Sequence, residues 1–131
     1  MLSRAAVLAG EHRRIEAALD RLAGSLAAGQ MDRECFRHAR ELIAQHYLGE
    51  REFLAELHEH EPALAAKLTV QHEEALEIAA RLEESLAAGQ SGDVAYLARR
   101  FLAIAQHNMI EEERDVFPLA VRWFPGDPAA S

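Results

Sequence analysis

The sequence predicts an all-α chain, an up-down-up-down antiparallel four-helix bundle, and three observations carry that expectation. Apolar residues recur at alternating steps of three and four, the spacing of one buried helix face. A hairpin unit of about sixty residues occurs twice. Only 7 Gly and 4 Pro are spread over 131 residues, which leaves little material for long loops. Half the residues are apolar and 27% are charged, so one domain over 1–131 with one core is expected, with hairpins at 3–58 and 62–117.

The first helix is expected at 3–27. Ser3 serves as its N-cap, and Leu8, His12, Ile15, Leu19, Leu22 and Leu26 share one face. Gly29 follows where a helix end favours a left-handed residue. The second helix, at 32–58, starts from Asp32 as its cap. Glu11-His12 through Leu26-Ala27-Ala28-Gly29-Gln30 then recurs as Gln71-His72 through Leu86-Ala87-Ala88-Gly89-Gln90, which places a third helix at 62–87. Pro62 suits its first turn, and its seam reads Leu68, His72, Ala75, Ala79, Leu82 and Leu86. Leu42-Ile43-Ala44-Gln45-His46 recurs as Ala103-Ile104-Ala105-Gln106-His107, now at an offset of sixty-one. That sets a fourth helix at 93–117, capped by Asp93 and stopped or kinked by Pro118 and Pro125, with Trp123 and Phe124 folding back over one end. Connections this short require antiparallel neighbours.

Composition excludes several partners. With 14 Lys+Arg against 22 Asp+Glu the net charge is −8, and the basic pairs Arg13-Arg14 and Arg99-Arg100 form no stripe, so no nucleic acid is expected. No apolar stretch approaches the roughly 20 residues of a membrane span, and the patch at Ala5 to Gly10 is too short for a signal sequence. A single cysteine forms no internal disulfide, which points to a reducing, cytoplasmic setting.

Seven histidines are the unusual entry, and four of them fall level. His12 lies 15 residues before Ala27, and His46 lies 14 after Asp32. In the second hairpin His72 and His107 repeat the same arithmetic against Ala87 and Asp93. Across the middle turn the mismatch is about 3 Å at 1.5 Å per residue. Glu50 and Glu111 each stand one turn beyond a histidine, on its face. Two ionised carboxylates in an apolar seam cost several kcal/mol each without a cation, about, and the seam offers no Lys or Arg there. A metal layer explains the pattern: two ions, His12 with His46 on one, His72 with His107 on the other, and Glu50 and Glu111 shared. Nitrogen and oxygen donors with vacant positions suit non-haem iron, with manganese or zinc as substitutes.

The pattern of Glu11-His12, His46-Tyr47-Leu48-Gly49-Glu50, Gln71-His72 and His107-Asn108-Met109-Ile110-Glu111 resembles the hemerythrin-like family of HHE cation-binding domains, over positions 8 to 118. Glu112 and Val116-Phe117-Pro118 are also similar to that family's last helix. The resemblance implies a di-iron centre bridged by the two carboxylates and an oxo, hydroxo or water ligand, with O₂, peroxide or NO as the small-molecule ligand. Two departures stand out. Oxygen carriers of the family have a further histidine where this chain has Leu76, and their last carboxylate lies five residues after the histidine, which would select Glu112. The internal repeat selects Glu111, with Glu112 in reserve. The missing histidine shifts the expectation from an oxygen carrier to sensing, storage or detoxification. Catalase-like or peroxidase-like turnover and a metal-dependent regulatory module are the alternatives. A ferritin-like arrangement fits less well, since it wants Glu-x-x-His motifs and a long crossover.

The remaining candidates read as structural. His38 falls on a flank, and His58 and His60 at a solvated turn. Cys35 is a small core residue, and Glu16 is a surface charge that is left out of the ligand set. Tyr47 is expected to point away from the centre, and Leu48, Phe53, Phe101, Ile104 and Met109 to form its dry shell.

Overall fold

The computed structural model describes residues 4–119 and is helical, with no strand among those residues. Helices α1 (Arg4–Ala27), α2 (Arg33–Gly49), α3 (Arg51–His60), α4 (Pro62–Ala88) and α5 (Ser91–Glu111) are followed by a π-helical turn, Glu112–Val116. The places expected for Ser3, Trp123, Phe124 and Pro125 lie outside the described residues.

The two repeat turns close in the same way. The amide of Gln30 donates to the Ser25 carbonyl and that of Gly29 to Leu26; the amide of Gln90 donates to Ser85 and that of Gly89 to Leu86. This paired closure requires a left-handed residue, and Gly29 (φ 89°) and Gly89 (φ 71°) supply it. A Cβ at Gly89 would meet nothing within 4 Å, so substitution there carries a purely conformational cost. Gly89→Ala is expected to lower unfolding free energy by about 1–2 kcal/mol, whereas Gly24→Ala, within α1 and equally free of neighbours, raises it by about 0.4–1 kcal/mol. Urea unfolding of both variants tests the pair; equal shifts would contradict the assigned backbone states.

Asp32 caps α2 as expected, its carboxylate accepting from the amides of Glu34 and Cys35. Pro62 opens α4. Asp93 does not cap the last helix. Gln90 takes that position, and Asp93 sits in the first turn, where its charge favours the helix N-terminus. The single helix expected at 32–58 is also interrupted. Glu50 (φ −85°, ψ −6°) joins α2 to α3, and its amide is shared among the carbonyls of His46, Tyr47 and Leu48. Gly49, the weakest helix former in the segment, directly precedes the break.

Helix α1 packs on α2 and α5, and α4 packs on α5, α3 and α2. Two apolar clusters result. The larger contains Ile15, Leu19, Leu22, Phe36, Ile43, Leu82 and Phe101, and the smaller contains Leu8, Phe53, Leu57, Ala65, Leu68 and Val116. Each full burial of such a side chain contributes about 1.5–3 kcal/mol. Along α1 the smaller cluster ends at Leu8 and the larger begins at Ile15, with His12 between them. Along α4 His72 separates Leu68 from Ala75. Along α2 and α3, His46 and Glu50 fall between Ile43 and Phe53, and on the last segment Glu112 falls between Met109 and Val116. A buried polar layer therefore divides the two halves of the core. None of the described helices is long and apolar enough to cross a membrane.

Candidate metal centre

His12, His46, Glu50, His72 and Glu112 make up the polar layer, each 6% exposed or less. Ligating atoms of His12, His46, Glu50 and Glu112 all lie within 4.8 Å of one another. The Nε2 atoms of His12 and His46 are 2.9 Å apart. One carboxylate oxygen of Glu112 lies 3.0 Å from His12 Nε2 and 3.5 Å from His46 Nε2; the other lies 3.1 Å from His72 Nε2. Glu50 contacts His46 Nε2 through one oxygen and lies 3.4 Å from His72 Nε2 through the other. Three imidazole nitrogens and two carboxylates thus face one small volume.

The outer nitrogens are also engaged. His46 Nδ1 is 3.0 Å from Glu11 Oε1, and His12 Nδ1 is 3.2 Å from Glu113 Oε1. A carboxylate behind the imidazole fixes the tautomer with Nδ1 protonated and Nε2 directed inward, as metal-binding histidines require. The π-helical turn serves this arrangement. Its wider coil advances less than the usual 100° per residue, so consecutive Glu112 and Glu113 reach the two nitrogens of one ring.

Electrostatics in the layer are strained. Burial opposes a charge on His46, yet hydrogen bonds to Glu112 and Glu50 outweigh it and push the imidazole pKa up to about 10. Burial likewise pushes Glu50 up to about 8, with His46 pulling the other way and the Glu112 charge adding to the rise. Burial also acts on Glu112, but bonds from His12, His46 and His72 prevail and hold it well below the usual carboxylate range. Among the described residues these carboxylates meet imidazole nitrogens rather than Lys or Arg, and His46 is the ring whose proton they hold. Glu50 Oε1 also lacks a properly directed hydrogen bond. An inward, acceptor-rich set held together by shared protons is the donor set a divalent cation satisfies, and the residues fit such an ion.

Of the six expected ligands, His12, His46, Glu50 and His72 come together; His107 and Glu111 do not join them. The His107 side chain is 62% exposed, 3.0 Å from Glu111 Oε1 on the outer side of α5. Glu111 is held 2.9 Å from Lys67 Nζ and accepts from Gln71 Nε2 at 2.7 Å. Lys67 and then Gln71 lower its carboxyl pKa. The cause is helix register. The most deeply buried positions along α2 and into α3 include Phe36, Ala39, Ile43, His46 and Glu50, and those along α5 and the π-helical turn include Ala98, Phe101, Ala105, Asn108 and Glu112, each 2% exposed or less. The packing repeat is therefore sixty-two residues, one more than the offset at which the letters match. Asn108, fully buried, stands where the repeat would need a fourth histidine; it donates to Gln71 Oε1 at 2.8 Å, while its own Oδ1 has no partner. Glu112, held in reserve by the sequence reading, is the carboxylate that faces inward.

Other expectations divide. Phe53, Phe101 and Met109 are buried and Ile104 is half-buried, whereas Leu48 is 63% exposed. Tyr47 is buried and turns toward the centre, stacking on His72 with ring centroids 3.7 Å apart and planes 7° apart. Burial, with the Glu112 and Glu50 charges, raises its phenol pKa well above the ordinary value. His38, His58, His60 and Glu16 are exposed, as surface residues should be. No family model matches the chain, and no curated protein or solved structure matches it either.

Proposed function

We propose that this chain is a non-haem metal protein in which an up-down-up-down four-helix bundle, α2 and α3 together forming its second helix, carries a hemerythrin-like di-iron centre. The observation that carries the reading is the inward convergence of His12, His46, His72, Glu50 and Glu112 with Glu11 and Glu113 behind two of the rings. The bundle topology is supported by the order of apolar clusters, which reverses from each long segment to the next. His12, His46, His72, Glu50 and Glu112 would hold the ions, and iron there would supply reversible redox chemistry toward O₂, peroxide or NO. The chain's own residues set the conditions: the phenylalanines exclude water, Glu11 and Glu113 hold the rings, and Glu112 neutralises charge. Sensing, storage or detoxification of such a small oxidant is the role this fits.

Anaerobic loading with ferrous iron, metal counting per chain and an optical spectrum after O₂ exposure test the reading. Two irons per chain with charge-transfer bands of a bridged centre are expected. A chain that binds no iron, or that keeps two after His46→Ala, would remove its basis. Because the metal-free layer is held together by shared imidazole protons, loading near neutral pH is also expected to release protons to solvent. A pH indicator in weak buffer reads this directly, and metal uptake without proton release would contradict the arrangement.

A further inference from the structure

A second feature opens onto the far side of His72. Helices α2 and α3 on one wall and α4 on the other flank an open cavity of about 830 Å³, and Tyr47 and His72 are among the residues that line it. O₂ or NO requires no such space; the volume lies in the range of about 300–1,000 Å³ that holds small organic ligands. Its walls are largely apolar. Of the six exposed large apolar residues among those described, three, Leu48, Val70 and Leu76, line this one cavity. Concentrated exposure of that kind marks a binding surface more than scattered surface leucines do. The charged groups are unevenly placed: Arg51 and His58, one heptad apart on α3, both line the cavity, and only Glu73 opposes them from α4. Arg51 forms no ion pair among the described residues, leaving its planar fork available to a carboxylate.

We propose that this cavity binds a small amphipathic monoanion, a carboxylate with an apolar chain or ring, whose body lies over the stacked Tyr47 and His72 rings and whose charge meets Arg51. The site is built from residues outside the metal layer except His72, so binding stands on the cavity, and only its use as a substrate or regulator pocket rests on the metal reading.

The probe is 1-anilinonaphthalene-8-sulfonate, an aromatic monoanion, titrated into the full chain with and without bound iron and then competed with decanoate, decanol and decylamine. Decanoate is expected to displace the dye about tenfold more effectively than decanol or decylamine. Arg51→Gln removes that preference, and Ala66→Trp, which fills the cavity from its α4 wall, weakens dye and decanoate alike. Circular dichroism confirms folding of Ala66→Trp, while Arg51→Gln, at an exposed position, keeps the test decisive if the larger change fails to fold. Equal competition by all three chains, dye binding unaffected by both variants, or loss of dye binding as the chain self-associates in light scattering would each overturn the proposal, the last by giving the groove to a second copy. Carboxylate binding by a chain that takes up no iron leaves this inference standing and removes the metal reading; iron uptake without carboxylate binding does the reverse.

Discussion

Glu112→Gln is expected to weaken divalent metal binding by roughly 100-fold or more, while Glu111→Gln and His107→Ala leave it within about threefold. The two carboxylates are adjacent in sequence and both buried, but they face different partners. Glu112 is 2% exposed and lies within 3.5 Å of His12, His46 and His72. Glu111, 4% exposed, is instead covered by Lys67, Gln71 and His107 and contacts none of the His12, His46 and His72 rings. The amide at position 112 keeps the shape but removes the charge that balances the ion, and it places a donor group where only acceptors are useful. Isothermal titration with Zn²⁺ or Co²⁺ reads the three variants under one set of conditions, independent of any redox chemistry. Loss of metal in His107→Ala with retention in Glu112→Gln would show that the layer assembles in the register of the sequence repeat and not in the register of the packed helices.

That contrast also shows what the sequence made legible. Alternating apolar steps and the duplicated hairpin were enough to place the helical segments but not the break at Glu50, and His12, His46 and His72 were recognisable because each has leucine, isoleucine or alanine one turn away on its seam. The last helix misled because two periodicities compete there. Matching letters pair His46 with His107, while apolar spacing through Ala98, Phe101 and Ala105 continues to Asn108 and Glu112. Packing follows the apolar spacing, since turning His107 inward would rotate that whole seam toward solvent. The carboxylates at Glu11 and Glu113 were not visible as partners, because their role depends on rings in other helices; a Glu immediately preceding a seam histidine was the available hint at Glu11. The π-helical turn has no local sequence marker in this chain. Tyr47 was placed away from the centre because a residue next to a ligand turns 100° from it, but that rotation carries the ring against His72 of α4.

Without metal, the protein is expected to lose stability as pH rises from about 5.5 to about 9, the reverse of ordinary acid unfolding. His46 binds its proton more tightly folded, near 10, than the ordinary value of 6.5. Its contribution is complete below the lower value and disappears as pH climbs through the upper one. Glu50 is raised from 4.5 to about 8 by burial, so ionising it penalises the folded state increasingly over that interval. Both groups therefore weaken the fold between pH 6.5 and 8, and His46 continues to do so toward 10. Glu112 has the opposite sign; its lowered pKa stabilises above the usual carboxylate range and is lost only as pH falls below it. Maximum stability of the metal-free chain should accordingly lie on the acid side of neutrality, with a loss on the order of a few kcal/mol by pH 9. Urea midpoints in the presence of a chelator measure this, and a midpoint that is flat or rises between pH 5.5 and 9 would contradict the buried charge assignment. Metal loading reverses the trend. An ion takes the place of the shared protons, its affinity grows as they leave, and at a thousandfold excess over Kd it adds about 4 kcal/mol. His46→Leu is expected to remove the metal-dependent gain together with the part of the alkaline slope that extends above pH 8, while the loss that comes from burying Glu50 persists because His46 is what holds that carboxyl pKa down.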